Sequence, residues 1–176
     1  IAREGAGGVA SDAHTEAQVP GQPVLIARMP DLAAEGFGLF FAADAFVAIW
    51  QRLAAGGATA GGLLAWEIAR IENGRPEWGV DIDDSTIPQE ANQDELHAIS
   101  YTKGCYTGQE VVARIHFRGH VNRHLRGLVL GHSEPPAERA RVMSLDGKHV
   151  GDVRSSALSP RLGAIALVMV RREIEM

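Results

Sequence analysis

Apolar residues fall in short blocks whose spacing shifts from strand-like to helical and back. Val24 to Arg28 is a brief apolar run closed by Met29-Pro30, and Phe37 to Phe41 is a second, aromatic one. Both read as strands. From Asp44 the period lengthens: Phe46, Ile49, Trp50 and Leu53 recur at helical spacing until Gly56-Gly57 stops the run. After a turn at Gly61-Gly62, Leu63 to Ile71 repeats the pattern, with Leu64, Ile68 and Ile71 on one face. Gly74 stands where a helix C-terminal glycine belongs. Residues 1–22, rich in Gly, Ala and Pro, show no sustained period and read as loop or a weakly ordered leading segment, including Gly5-Ala6-Gly7-Gly8.

Residues 76–100 carry Pro76, Asp81, Asp83, Asp84, Pro88 and Asn92 and read as a long surface connection. Thr107-Gly108-Gln109-Glu110 then matches a capping box, with Thr107 as N-cap and Glu110 three residues on. Val111, Val112 and Ile115 give that helix its apolar side, and Gly119 ends it. Beyond Arg126 the runs are short and β-like: Leu128–Leu130, Arg141–Leu145, His149–Val153 and Ala164–Val170. Pro135-Pro136, Asp146-Gly147 and Ser159-Pro160 separate them, and Asp-Gly between two such runs is a strong hairpin signal. The pattern predicts an α+β chain ending in a small antiparallel barrel. The boundary is placed near Gly119–Leu125, giving parts 1–120 and 121–176.

Composition narrows the class. The chain has 176 residues, 45% hydrophobic and 22% charged, which suits a packed globular core. A formal net charge of -5 argues against nucleic-acid binding by bulk electrostatics. No apolar run is long enough to cross a bilayer, so no membrane partner is expected, and no basic-then-apolar leader is visible. One cysteine cannot form an internal disulfide. A reducing cytoplasm is the simplest compartment, an intermolecular bridge the alternative. The first residue, Ile1, suggests a piece of a longer protein.

Charge is unevenly spread. Between Lys103 and Arg126 stand Lys103, Arg114, Arg118, Arg123 and Arg126 against Glu110 alone, so this segment is near +4 in a chain of -5. Such a patch suits an anionic ligand: the glutamyl tail of folate, a phosphate or a stretch of RNA. A solvated helix face paired with acids elsewhere explains it equally well. Inside the patch, Gly104 and Gly108 allow tight turns and close approach of a ligand around Cys105. The positive end of the following helix and the Lys103 charge favour a thiolate there. The competing reading is a buried, inert cysteine. His116, His120 and His124 are spaced four apart, but Gly119 and Asn122 break the helix that would align them, so no metal is expected. Asp81, Asp83 and Asp84 lack the glycine and closing glutamate of a calcium loop and read as a solvated turn. Trp66 reads as packing, with stacking on a flat heterocycle as the alternative.

Lys103-Gly104-Cys105-Tyr106-Thr107-Gly108-Gln109-Glu110 resembles the signature of the YgfZ family, in the folate-binding superfamily of the glycine cleavage T-protein. Val112-Ala113-Arg114 and Arg118-Gly119-His120 fit as well. Upstream, Arg70-Ile71-Glu72-Asn73-Gly74 with Pro76 and Gly79 resembles the superfamily's R-x-E-x-G-x-P-x-x-G segment. Downstream, Val150-Gly151-Asp152-Val153 and Ser155 to Pro160 resemble its C-terminal barrel. The resemblance implies the middle and C-terminal parts of the three-part T-protein fold. It also implies tetrahydrofolate as cofactor, with iron–sulfur proteins and tRNA as partners of an accessory protein. By position, Cys105 is the functional thiol with Lys103 beside it, and Trp66, where YgfZ-like proteins carry a tryptophan, contacts the pterin. Tyr106, Gly108, Gln109 and Glu110 shape the turn, and Arg114 joins Lys103 in attracting the glutamyl tail. The T-protein places an acid where this chain has Gly38 and an arginine where it has Trp66. Both departures weaken the rival reading, a folate-dependent aminomethyltransferase. An RNA-binding module is the remaining rival.

Overall fold

In the computed structural model, the described residues are 14–19, 21–29, 32, 36–131 and 134–174. The glycine-rich opening and Pro30 lie outside them. The chain forms two compact units, residues 1–66 and 67–176.

The first unit is built on a three-stranded antiparallel sheet, β1 (His14–Val19), β2 (Gln22–Arg28) and β3 (Phe37–Phe40), in that order. β1 corrects the expectation of loop through residue 22. Its apolar positions are small or interrupted by polar residues, and pairing with β2 supplies the order that its own sequence does not announce. A 3-10 turn at Ala43–Ala45 leads into α1 (Phe46–Ala55). Val24, Ile26 and Ile49 are buried together with Val19 and Ala45, and Leu53 packs against them. Phe46 and Trp50 do not join that core; they stack on each other at 5.9 Å and remain about half exposed.

α2 (Leu63–Glu72) crosses the division between the units. Only its last turns are buried, since Leu64 is exposed while Ile71 enters the second core. It ends as expected. Gly74 has φ of 68°, its N–H donates to the Ile71 carbonyl, and the Arg75 N–H reaches back to the Arg70 carbonyl at 2.8 Å. That pair of bonds is a Schellman ending, which needs the left-handed glycine.

The second unit holds a four-stranded antiparallel sheet in the order β4-β7-β6-β5, from β4 (Arg123–Val129), β5 (Arg141–Met143), β6 (His149–Ser159) and β7 (Gly163–Arg171). The β5–β6 hairpin turns at Gly147, φ 80°, as the Asp-Gly pair predicts. β6 runs six residues beyond its expected end because a bulge interrupts its alternation. Val153 pairs with Val168 and Ser155 with Leu167, leaving Arg154 as the extra residue. Val153 therefore packs with Ala166, Val168 and Val170, while Ala157 packs on the other side with Ile71, Leu125, Ile165 and Leu167. Gly151 sits where a Cβ would lie 2.2 Å from the Met169 carbonyl oxygen, so no other residue fits that strand crossing unmoved.

The segment 76–100 is not a surface connection. It carries a bridge between Trp78 and Ile82 and a 3-10 turn at Pro88–Ala91, and it buries Asp81, Gln89, Glu90 and Ala91. Asp81, expected in a solvated turn, is 1% exposed. Its carboxylate accepts from Arg70 Nη1 at 2.6 Å, from the Glu77 N–H at 2.8 Å and from Ser155 Oγ at 2.5 Å. Arg70, 2% exposed, also donates to Ser155 and Glu67 at 2.9 Å each. Removing one partner of a buried pair typically costs about 3–5 kcal/mol, and without Asp81 the Arg70 guanidinium keeps only the partly exposed Glu67, 2.7 Å away, as a close counter-charge. Asp81→Ala is therefore expected to lower unfolding free energy by roughly that amount in a urea titration; a loss below about 1 kcal/mol would show that Arg70 finds solvent or another partner.

Candidate functional site

The stretch from Ile99 to Gly108 leads into α3 (Gln109–Arg118), and its geometry differs from the expected capping box. The N-cap is Gly108, not Thr107, with φ of 84°, and no side chain caps the helix. Only glycine takes that left-handed conformation cheaply. The reciprocal contact comes instead from Gln109, whose Oε1 accepts the Tyr106 N–H at 3.0 Å. Cys105 consequently lies three residues before the cap, immediately ahead of the turn that this bond closes. Gly119 ends the helix as expected.

Cys105 is exposed. It lines a cavity of about 390 Å³ with Tyr101, Gly104, Tyr106, Gln109, Glu110, Ala113 and Phe117. Gln109, Glu110, Ala113 and Phe117 follow helical spacing, so α3 supplies one wall and the glycine turn the other. Tyr106 also borders a second cavity of about 400 Å³, walled by Trp78, Ile82, Ile99 and Val112 among others. Lys103 lines this second space, with Nζ 5.2 Å from the Tyr106 ring centroid. The lysine and the thiol thus serve neighbouring cavities that share the Tyr106 ring.

An aromatic cluster not anticipated from sequence braces the site. Tyr101 stacks on His116 at 3.9 Å, and Phe117, 70% exposed, meets both rings edge-on. Tyr101 donates to Asp94 at 2.5 Å, and Asp94 also lies 3.6 Å from His116 Nδ1. Gln89 donates to the Val112 carbonyl at 2.8 Å and to Tyr101 Oη at 3.4 Å. Burial, reinforced by the Asp94 hydrogen bond, pushes the Tyr101 hydroxyl up to about 12. The only sequence signal was position: Tyr101 just before the motif, His116-Phe117 one helix later.

The remaining expected residues are dispersed. Arg114 and Arg118 are exposed on α3, and no described acid pairs with them. Arg123 leaves the patch to bind Glu90 at 3.0 Å. Trp66, 41% exposed on α2, lines neither cavity. His116 is committed to the aromatic stack, and burial first, then Arg126, lowers the His124 pKa. Among the described residues, no group of three or more His, Cys, Asp or Glu side chains could hold a metal ion. No helix among them is long and apolar enough to cross a membrane.

These features sit on a recognisable frame: residues 123–176 match the family described as the glycine cleavage T-protein C-terminal barrel domain. Over a longer stretch the chain is similar to an aminomethyltransferase from Nostoc sp., 37% identical over 158 residues, 89% of this chain and 41% of that protein. An iron–sulfur cluster assembly factor IBA57 homolog, mitochondrial, from Mycosarcoma maydis is 33% identical over 106 residues, 54% of this chain and 26% of that protein. The glycine cleavage system aminomethyltransferase T from Bartonella henselae shares the fold, with a TM-score of 0.74 at 21% identity, covering 94% of this chain and 45% of that one. The chain spans less than half the length of each of these relatives.

The chain has two tyrosines, so an alkaline titration at 295 nm resolves them. Tyr101 is expected to ionise near 12, against an ordinary value of 10.0. The folded state then holds a proton that the unfolded state has lost. Stability from this group is complete below the ordinary value and disappears as pH rises through the folded one. Tyr101→Phe should remove that alkaline loss; ionisation of Tyr101 near its ordinary value would refute the Asp94 clamp.

Proposed function

We propose that this chain is part of a tetrahydrofolate-binding, YgfZ-like accessory protein that supports iron–sulfur cluster assembly or repair and tRNA modification through the Cys105 thiol. The observation that carries the reading is the exposed cysteine in the wall of a cavity faced by Tyr101, Tyr106 and Phe117, at the start of α3. A thiol so placed is reachable by a ligand. Similarity to the Mycosarcoma maydis assembly factor supports the iron–sulfur role.

In this reading Trp66 stacks on the pterin, and Lys103 and Arg114 attract the glutamyl tail. Tyr106, Gly108, Gln109 and Glu110 hold the turn. The partition into a folate-binding part, 1–120, and a barrel, 121–176, is supported by the barrel match beginning at residue 123. Arg114 and Arg118, exposed and without an acidic partner among the described residues, are the groups available to tRNA phosphates. The lone cysteine fits a reducing, cytoplasmic setting.

The aminomethyltransferase relatives favour a second reading, folate-dependent aminomethyl transfer. Gly38 counts against it. A Cβ there would meet Met29 Sδ at 2.6 Å and the Phe40 ring at 3.0 Å, so an acid at this position is accommodated only by repacking. Turnover with tetrahydrofolate and a methylamine donor separates the two readings.

In the full protein, Trp66→Ala is expected to weaken tetrahydrofolate binding at least several-fold by fluorescence titration; unchanged affinity removes Trp66 from the site. Cys105→Ala should stay folded, with an unaltered circular dichroism spectrum, yet fail to restore iron–sulfur enzyme activity in cells lacking the protein. Full restoration by that variant would end the thiol reading.

A further inference from the structure

The barrel carries a cluster of basic groups that the thiol site does not use. Arg123 on β4 stands directly across from Arg171 on β7 in the strand register. Like charges directly opposite on neighbouring strands are destabilising. Both line a cavity of about 150 Å³ together with Arg154 and His149 of β6. Arg154 is the bulge residue of β6. A bulge re-aims a side chain and is over-represented beside functional sites. Arg154 Nε is buried and has no hydrogen-bond partner. A buried guanidinium N–H without an acceptor forfeits a charge-assisted bond, so its acceptor is expected to come from outside the chain.

The acids nearby neutralise the cluster only in part. Glu90 binds Arg123 Nε at 3.0 Å, and Asp152, which itself lines the cavity, lies 3.0 Å from His149 Nε2. Asp83 feels the Arg154 charge but accepts its hydrogen bonds from Ser85 and Thr86. Arg171 has no described acidic partner. Converging guanidinium forks in a small space match the tetrahedral array of acceptors on a phosphoryl group.

We propose that this cavity, bounded by Arg123, Arg154, Arg171 and His149, is a binding site for a phosphoryl group, as free phosphate or as a phosphate monoester. The bound dianion resolves the Arg123–Arg171 repulsion and supplies the missing acceptor for Arg154. The site lies within the barrel and does not depend on the folate reading.

The test uses the full protein and thermal unfolding at constant ionic strength. Inorganic phosphate at about ten times its Kd is expected to raise Tm by about 3 °C over chloride. Adenosine 5′-monophosphate in a parallel arm distinguishes the sources: a larger shift at lower concentration assigns a monoester, an equal or smaller one assigns free phosphate. Arg171→Gln and Arg154→Gln should each abolish the shift, while Arg52→Gln on α1 keeps it. Arg171→Gln without phosphate should be no less stable than the parent, because it removes one of two opposed like charges. No shift with either ligand, or an equal shift with glutarate, overturns the assignment. So does a phosphate shift that persists in both cavity variants.

Discussion

The second unit is organised by one buried ion pair, Arg70 with Asp81, and by the serine that completes it. Taking a guanidinium and a carboxylate out of water is expensive, and the pair is tolerable only when every hydrogen-bonding group is used. Here it nearly is. Arg70 spends its donors on Glu67, Asp81, Ser155 and the Arg75 carbonyl, and Asp81 accepts from Arg70, Ser155 and the Glu77 N–H. Three segments distant in sequence are thereby pinned together: the end of α2, the 75–82 loop and β6. The next helical residues repeat the attachment. Ile71 enters the barrel core, and Glu72 takes hydrogen bonds from Ser159 and Arg161. Ser155 and Ser159, four apart on one strand face, form a matched pair of sockets for Arg70 and Glu72.

That attachment requires the irregularity at Arg154. In a regular strand Ser155 would share a face with Val153 and point into the apolar cluster of Val168 and Val170. The extra residue turns Ser155 to the opposite face, where Arg70 waits, and keeps Val153 in its own core. The same bulge leaves Arg154 outside the pairing ladder, beside the cross-strand pair Arg123 and Arg171. One inserted residue therefore does two things: it delivers a buried hydroxyl to Arg70 and leaves a guanidinium beside the Arg123–Arg171 pair. Gly151, three residues earlier, admits the Met169 backbone at a distance no side chain tolerates.

Much of the fold was legible because local signals were strong. Gly74, Gly147 and Gly119 each mark the boundary they were expected to mark, and the helical runs at 46–55 and 63–72 kept their period. What escaped was non-local. Asp81 among other aspartates resembles a solvated turn, because its partners lie 11 and 74 residues away. β6 looked short because a bulge breaks the period of two on which strand reading depends. The cap of α3 was misplaced because Thr107 and Glu110 satisfy a capping pattern while the left-handed Gly108 takes the position. The thiol's exposure was compatible with the glycines around it, but the Tyr101 stack and its Asp94 anchor gave no motif to find.

These constraints run in series from the barrel to the cysteine. Asp81 fixes the start of the 76–100 segment against α2 and β6. Glu90 bound to Arg123, and Asn92 donating to the Leu125 carbonyl at 2.9 Å, fix its middle against β4. From that anchored stretch, Gln89 reaches the backbone of α3 at Val112, and Asp94 holds Tyr101 and approaches His116. α3 is therefore positioned by polar contacts from a segment that is itself held by the barrel. Its apolar contribution is small, since Val112 is its one buried residue. The thiol turn hangs on the first residue of this helix through the Tyr106–Gln109 bond. Neutral Tyr101 is a necessary link, because a phenolate could not donate to Asp94 and would repel it. The cysteine can stay exposed without being loose because its position is set by this relay of buried polar groups rather than by packing around the sulfur.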